Sequence, residues 1–288
     1  MKILITGGNG FIGKHLVASL RTSNAEVIAP GRDKLDLTDS DVVAMWMGVH
    51  KPDAVVHLAA SPGNQPDKSD PNKIINDNIL ATHNVCYHAP KGCRVILAST
   101  ISVYGKTTYP VHELDPKNPT TMYGVSKLSC EKIVSLYTQF GQISGVSLRL
   151  CAVVGSGMTH GMLHDWLEKI KIDTNELEVF GSEPGSIKPF LHIDDAVQAI
   201  KFMLDNWYIT YPINICPDEM LSVKQIANIF INARHLNKKI VWMGDKSVWA
   251  GDVNILQASN MLMKSVGIPC FHRTSYDAVL RAIKSEDS

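Results

Sequence analysis

Up to Leu150, short runs of Val, Ile and Leu alternate with longer amphipathic stretches. The runs are Lys2 to Ile5, Glu26 to Ala29, Ala54 to Leu58, Arg94 to Ala98 and Val146 to Leu150, and helix-like windows fill the gaps near 11–22, 39–50, 72–88 and 121–139. Strands apolar on both faces and joined by helical crossovers predict a parallel sheet covered by helices on both sides. The fold class is therefore α/β, a doubly wound parallel sheet of the Rossmann kind. Past residue 155 the pattern loosens into a Gly-rich turn, a helix over 161–171, a loop at 181–187 and a short strand at 189–193. A helix then opens on Asp194 and Asp195, whose carboxylates suit the positive end of the helix dipole. Tyr211 to Ile215 predicts one more strand, and helices follow near 222–236, 258–266 and 274–284.

Composition narrows the function classes. Lys plus Arg and Asp plus Glu both number 28, so no net positive field exists for a general grip on nucleic acid or an acidic membrane. The six cysteines, Cys86, Cys93, Cys130, Cys151, Cys216 and Cys270, contain no C-x-x-C pair, and the expectation is buried, reduced thiols in a cytoplasmic protein. The chain opens directly on an apolar strand, and no run reaches the roughly 18 apolar residues of a membrane span. A soluble protein with no nucleic-acid or membrane partner is expected.

Three features carry candidate chemistry. Gly7-Gly8-Asn9-Gly10-Phe11-Ile12-Gly13 follows the first strand and opens the first helix. Glycines there permit a tight turn and a close backbone approach to a pyrophosphate, and the helix N-terminus offers free N–H groups to the anion. Gly7, Gly10, Phe11, Ile12 and Gly13 are the resulting cofactor contacts. The second strand ends in Pro30-Gly31-Arg32-Asp33. An acidic residue at this tip suits the ribose 2′-hydroxyl of NAD, whereas an arginine suits the 2′-phosphate of NADP, so Arg32 favours NADP over NAD. The third feature is Thr100 at a strand end with Tyr123 and Lys127 spaced Y-x-x-x-K. On a helix, residues four apart share a face, so the Lys127 ammonium lies near the Tyr123 phenol. That cation, with the positive nicotinamide of an oxidised cofactor, is expected to lower the phenol pKa toward the working range. Thr100 can hydrogen-bond the same substrate oxygen.

On these motifs the chain resembles the extended short-chain dehydrogenase/reductase family, the NAD-dependent epimerase/dehydratases. The resemblance also includes His57-Leu58-Ala59-Ala60, Asp77 to Thr82, Ser99 to Gly105, Lys188 to Asp195 and Leu221-Ser222-Val223. It implies that Tyr123 is the acid/base, that Lys127 holds the nicotinamide ribose, and that Thr100 orients the substrate oxygen. It places Asp36 and Leu37 on the adenine, Leu58, Ala59 and Ala60 along the cofactor wall, Asn78 near the nicotinamide-side ribose, and Ser102 and Lys188 on the substrate side. It implies a nucleotide-sugar substrate and a homodimer formed through the tyrosine helix and the one before it. Residues 1–155 are then a dinucleotide-binding domain to which 189–215 return, while 156–188 and 216–288 form a smaller C-terminal α/β substrate-binding region.

Departures from the family pattern choose among its reactions. Sugar dehydratases resemble T-D-E-V-Y-G at the strand end. Ile101 and Ser102 stand where the acidic pair would be and cannot shuttle its protons. The cysteine that GDP-fucose synthases use is replaced by Ser102. Reduction of a 4-keto sugar by NADPH is the leading expectation, with 4-epimerisation on retained NAD(P) as the alternative. A non-catalytic nucleotide-binding protein is a second alternative, against which the intact Thr100, Tyr123 and Lys127 set argues. No metal site is expected: His160 and His164 lack a nearby third ligand, and His192 fits a packed strand position. Trp166, Trp207, Trp242 and Trp249 are compatible with core or interface. Arg149, inside an apolar strand, must find partners if buried.

Overall fold

The computed structural model describes residues 1–62, 70–170, 175–244 and 253–285; Trp249 and the last residue of the predicted 161–171 helix lie outside them. The first part runs β1 (Lys2–Thr6), α1 (Phe11–Arg21), β2 (Glu26–Ile28), α2 (Ser40–His50), β3 (Ala54–His57), α3 (Pro71–Ile74), a π-helical turn (Ile75–Leu80), α4 (Ala81–His88), β4 (Cys93–Thr100), α5 (Met122–Gln139) and β5 (Ile143–Leu150). It continues through β6 (Ala152–Val154), α6 (Met162–Lys169), β7 (Glu176–Val179), β8 (Ile187–Lys188), β9 (Phe190–His192), α7 (Ile193–Asp205) and β10 (Ile213–Ile215). β11 (Leu221–Ser222), α8 (Val223–Ala233), β12 (Lys239–Trp242), α9 (Met261–Ser265) and α10 (Ser275–Ser285) complete it.

Six strands form one sheet in the order β10-β5-β4-β3-β1-β2, every pair parallel. Ile3, Ile5, Val56 and Ile96 pack on α1 and α7 across one face, while Leu4, Val55, Val95 and Leu97 pack on α2, α4 and α5 across the other. The strand order reverses between β1 and β3, so the crevice at their carboxyl ends is the topological switch point where such sheets take ligands.

Local chemistry starts the helices where the site needs them. Thr121 caps α5 by accepting from the Gly124 N–H, and Asp70, followed by Pro71 at the first helical position, starts α3. Ser222 and Gln225 form a reciprocal capping box on α8. Arg94, wholly buried at the start of β4, donates to the carbonyls of Met203, Asn206 and Trp207 at the end of α7. That guanidinium satisfies orphan helix carbonyls and ties the 189–215 segment to the sheet. Burial lowers its pKa to about 10. A third core, with Leu163, Trp166, Leu177, Phe230 and Ile283 at its centre, holds the C-terminal region together. Asp195, at the start of α7, accepts from the backbone N–H groups of Phe271 and His272 and so fastens the C-terminal segment to the first unit. Among the described residues no helix is long and apolar enough to cross a membrane.

Candidate active site

A cleft of about 420 Å³ lies over the carboxyl ends of β1 and β3. Gly7, Gly8, Asn9 and Gly10 form its floor, Arg32, Asp36, Leu37 and Thr38 one wall, and Leu58, Ala59 and Ala60 the other. The glycines are required by contact. Gly7 has φ of 72°, and a Cβ there would lie 2.6 Å from the Ala59 nitrogen; a Cβ on Gly13 would stand 2.2 Å from the Gly7 carbonyl oxygen. α1 thus begins in contact with the strand turn. No side chain caps it and no acidic residue sits in its first turn, so its N-terminal field faces the cleft unopposed. This cradle fits a dinucleotide pyrophosphate. Phe11 and Ile12, which follow on α1, pack their side chains against the core.

Beyond Ala60 the chain is tied directly to the tyrosine helix. Asn78, on the π-helical turn, accepts from the Ser61 N–H at 2.7 Å and donates to the Ser61 carbonyl and to Ser126 Oγ. Ser126 lies between Tyr123 and Lys127 and donates to the Tyr123 carbonyl at 2.8 Å. Lys127 is 2% exposed. Its Nζ donates to the Ala98 carbonyl at 2.8 Å and stands 5.9 Å from the Tyr123 ring centre. Two residues along β4, Thr100 donates to Ser102 Oγ at 3.1 Å and accepts from the Ser102 N–H. Thr100, Ser102 and Lys127 therefore converge on the end of β4. Lys188 lies on β8 in the C-terminal region, opposite Leu221 of β11.

The electrostatics of the protein groups alone run toward the protonated phenol. Burial pushes the Tyr123 phenol up to about 12, with Cys130 adding to the rise. Lys127 is itself lowered by burial, and its ammonium is engaged with Ala98. Burial and Cys130 act on the phenol in the same direction, so the protein's own groups keep Tyr123 protonated. The same burial holds His57, beneath the glycine turn, at about 3, with Lys127 as the second cause. His57 is neutral there, hydrogen-bonded to Thr6 and Thr82.

A model of the NAD dependent epimerase/dehydratase family matches residues 3–216. The chain belongs to that family. As a member it is an NAD-dependent enzyme of the extended short-chain dehydrogenase/reductase type. It is 33% identical over 234 residues to a GDP-6-deoxy-D-talose 4-dehydrogenase of Aggregatibacter actinomycetemcomitans, covering 78% of each chain. It is 29% identical over 264 residues to an uncharacterised UDP-glucose epimerase of Bacillus subtilis, covering 80% of this chain and 81% of the other. A solved UDP-galactose 4-epimerase, 27% identical, superposes with a TM-score of 0.82 over 99% of this chain and 98% of that one.

In this epimerase/dehydratase two residues expected to meet the cofactor are engaged by the protein itself. Asn78, expected near the nicotinamide-side ribose, is 1% exposed and spends both amide hydrogens on Ser61 and Ser126. Its neighbour Asp77 lines the cleft instead. Arg32, expected to face a 2′-phosphate, pairs with Asp77 at 3.0 Å and with Asp36 at 3.5 Å. Asp77 also binds Lys73, and both cations hold it below the usual carboxylate range against the upward pull of burial. Asp36 is lowered chiefly by the Thr38 backbone N–H.

Sequence reasoning also missed the partner of Arg149. Glu131, one turn past Lys127 on α5, pairs with its Nη2 at 2.7 Å. The signal was present as a third member of the 123, 127, 131 helical face, which the Y-x-x-x-K spacing stops short of. His160 precedes α6, so it shares no helical face with His164. His192, Asp194 and His272 bring one potential ligand atom each within 4.8 Å of one another. These atoms serve the fold: His192 Nδ1 accepts from the Asp194 N–H to cap α7, and His272 Nδ1 pairs with Asp195 at 2.8 Å.

Proposed function

We propose that this enzyme reduces the 4-keto group of a nucleotide-bound sugar. The observation that carries the reading is the placement of Lys127, buried on the Tyr123 helix and hydrogen-bonded to β4 two residues before Thr100, in a sheet whose switch-point cleft is floored by glycines and does not itself include these side chains. When bound, a nicotinamide dinucleotide supplies the hydride. Tyr123 gives its phenolic proton to the ketone oxygen as the carbon is reduced, and a phenol near 12 is present as the acid that this direction requires. Thr100 donates a hydrogen bond to the same oxygen, and Lys127 keeps further N–H donors for a ribose. Ile101 and Ser102 supply no acid pair, which argues against dehydration. The 4-dehydrogenase relative supports chemistry at that carbon.

The epimerase relatives support a second reading, in which the proton and hydride are first removed and then returned to the opposite face. The two readings separate on purified protein. Retained cofactor marks the epimerase, and consumption of added reduced cofactor by a 4-keto sugar marks the reductase. In either case Tyr123→Phe is expected to cut turnover by about 10²–10⁴-fold with cofactor affinity nearly unchanged. Near-native turnover by that variant would remove Tyr123 from the reaction.

For the cofactor, NAD(H) is favoured over the NADP read from Arg32, because two carboxylates already hold that guanidinium and oppose a 2′-phosphate. For assembly, exposed Val125 and Leu136 on α5 and Tyr87 on α4 support the homodimer through these helices. Sedimentation as a monomer at micromolar concentration would reject it.

A further inference from the structure

We propose that Glu131, clamped between Ser99 and Arg149, is the positioning residue that aligns Tyr123 with Thr100 on one substrate oxygen. The inference rests on the assignment of Thr100, Tyr123 and Lys127 as the reacting set.

α5 lies across β4 and β5 and is fastened to them at two successive helical turns. Lys127 donates to the Ala98 carbonyl at 2.8 Å. One turn on, Glu131 accepts from Ser99 Oγ and from both Nε and Nη2 of Arg149. Ser99 and Arg149 are direct partners in the register of β4 with β5. Three consecutive residues of β4 therefore carry the alignment: Ala98 holds Lys127, Ser99 holds Glu131, and Thr100 presents its hydroxyl. A helix slide of one residue, about 1.5 Å, breaks both fastenings together.

Arg149 is committed on its remaining side as well. Its Nη1 donates to Tyr104 Oη at 2.6 Å and to the Glu113 carbonyl at 3.0 Å. Tyr104 donates onward to Asn214 Oδ1 at 2.7 Å, and Asn214 reaches the carbonyls of Val111 and Ser259. Glu131 and Arg149 are both nearly inaccessible, at 3% side-chain exposure each. A buried ion pair of this kind gives little net stability compared with apolar groups of similar volume, because desolvation offsets the attraction. What it supplies is geometry, since a bidentate guanidinium accepts a carboxylate in few orientations.

The test uses Ser99→Ala, which removes one tether and leaves the ion pair intact, beside Glu131→Gln. For Glu131→Gln, kcat is expected to fall about 100-fold, the scale of an ångström of misplacement, with KM changed by less than about threefold. The alkaline limb of its pH–rate profile moves to lower pH, because the Glu131 carboxylate supports the charge on Lys127. Ser99→Ala is expected to lose about tenfold in kcat with near-native melting, and it decides the matter if Glu131→Gln does not fold. Crystal structures of the folded variants read the alignment without turnover: the separation of the Tyr123 and Thr100 hydroxyls should change by more than about 0.5 Å. Folded variants with that separation, kcat and pH profile all native overturn the proposal. Failure of the parent enzyme on every 4-keto sugar, with the separation still shifted, would count against the reaction assigned and leave the positioning role standing.

Discussion

Cofactor choice gives the sharpest test of the cleft. Arg32 is the single basic residue at the tip of the second strand, and the structure sets it against Asp36 and Asp77. A 2′-phosphate gripped by Arg32 must approach the same guanidinium that Asp77 contacts at 3.0 Å, which places the two anions roughly 5 Å apart at hydrogen-bond geometry. At that separation a pair of unit charges repels by about 0.8 kcal/mol in bulk water and about 3 kcal/mol at an effective dielectric of 20. Asp77 is 11% exposed and Arg32 57% exposed, so the site lies between those limits, and about 1.5 kcal/mol is a reasonable middle value. That corresponds to about tenfold in affinity. Asp77→Asn should therefore move the ratio of NADPH to NADH dissociation constants about tenfold toward NADPH, and raised salt should blunt the change. Quenching of protein fluorescence, titrated with each reduced cofactor at two ionic strengths, measures both. A parent chain that already prefers NADPH tenfold, or an Asp77→Asn ratio equal to the parent's, would refute the electrostatic reasoning.

Gly13→Ala sets a Cβ 2.2 Å from the Gly7 carbonyl; we expect about 2–3 kcal/mol less stability in a denaturant melt and at least tenfold weaker cofactor binding, and near-native values for both would show that the turn has slack. Acid sensitivity should come from His57, held at about 3, and His192, held at about 4 by burial. Both folded values lie below the unfolded 6.5, so the unfolded state binds more protons in the window beneath 6.5 and stability falls as pH falls, by up to about 1.4 kcal/mol per unit for each histidine. His57→Gln should flatten the slope of unfolding free energy between pH 6 and roughly 4 by close to one proton, and an unchanged slope would show that His57 titrates normally.

The sheet was legible because parallel strands buried on both faces read as continuous apolar runs. Lys2 to Ile5 and Ala54 to Leu58 match β1 and β3 to within a residue or so. The strands that escaped notice are short and lie in the C-terminal region. β7 is Glu-Leu-Glu-Val, four residues whose parallel partner β12 comes some sixty positions later. So brief an alternation specifies no strand until tertiary packing on Trp166 and Phe230 supplies the missing free energy. The π-helical turn at Ile75–Leu80 was equally hidden. Sequence periodicity predicts a continuous helix over 72–88, and the extra residue in the turn rotates Asn78 inward toward Ser126 while leaving Asp77 at the cleft. A single inserted residue thus turns Asn78 toward Ser126 and leaves its neighbour Asp77 lining the cleft.

The same logic explains what the site's spacing alone did not reveal. Y-x-x-x-K correctly places an ammonium near a phenol, but proximity sets a pKa only after both groups are charged for leaving water. Lys127 is buried and directs a hydrogen bond at Ala98, Tyr123 is half-buried beside it, and desolvation decides the sign, so the phenol stays protonated. The protein therefore supplies a proton donor by itself. The positive charge that would convert Tyr123 into a base in the oxidising direction has to arrive with the nicotinamide. If that division of labour holds, phenol acidity is a property of the binary complex. A Tyr123 whose pKa fell toward neutrality with oxidised cofactor, yet stayed high with the reduced form, would act as acid in one half-reaction and base in the other.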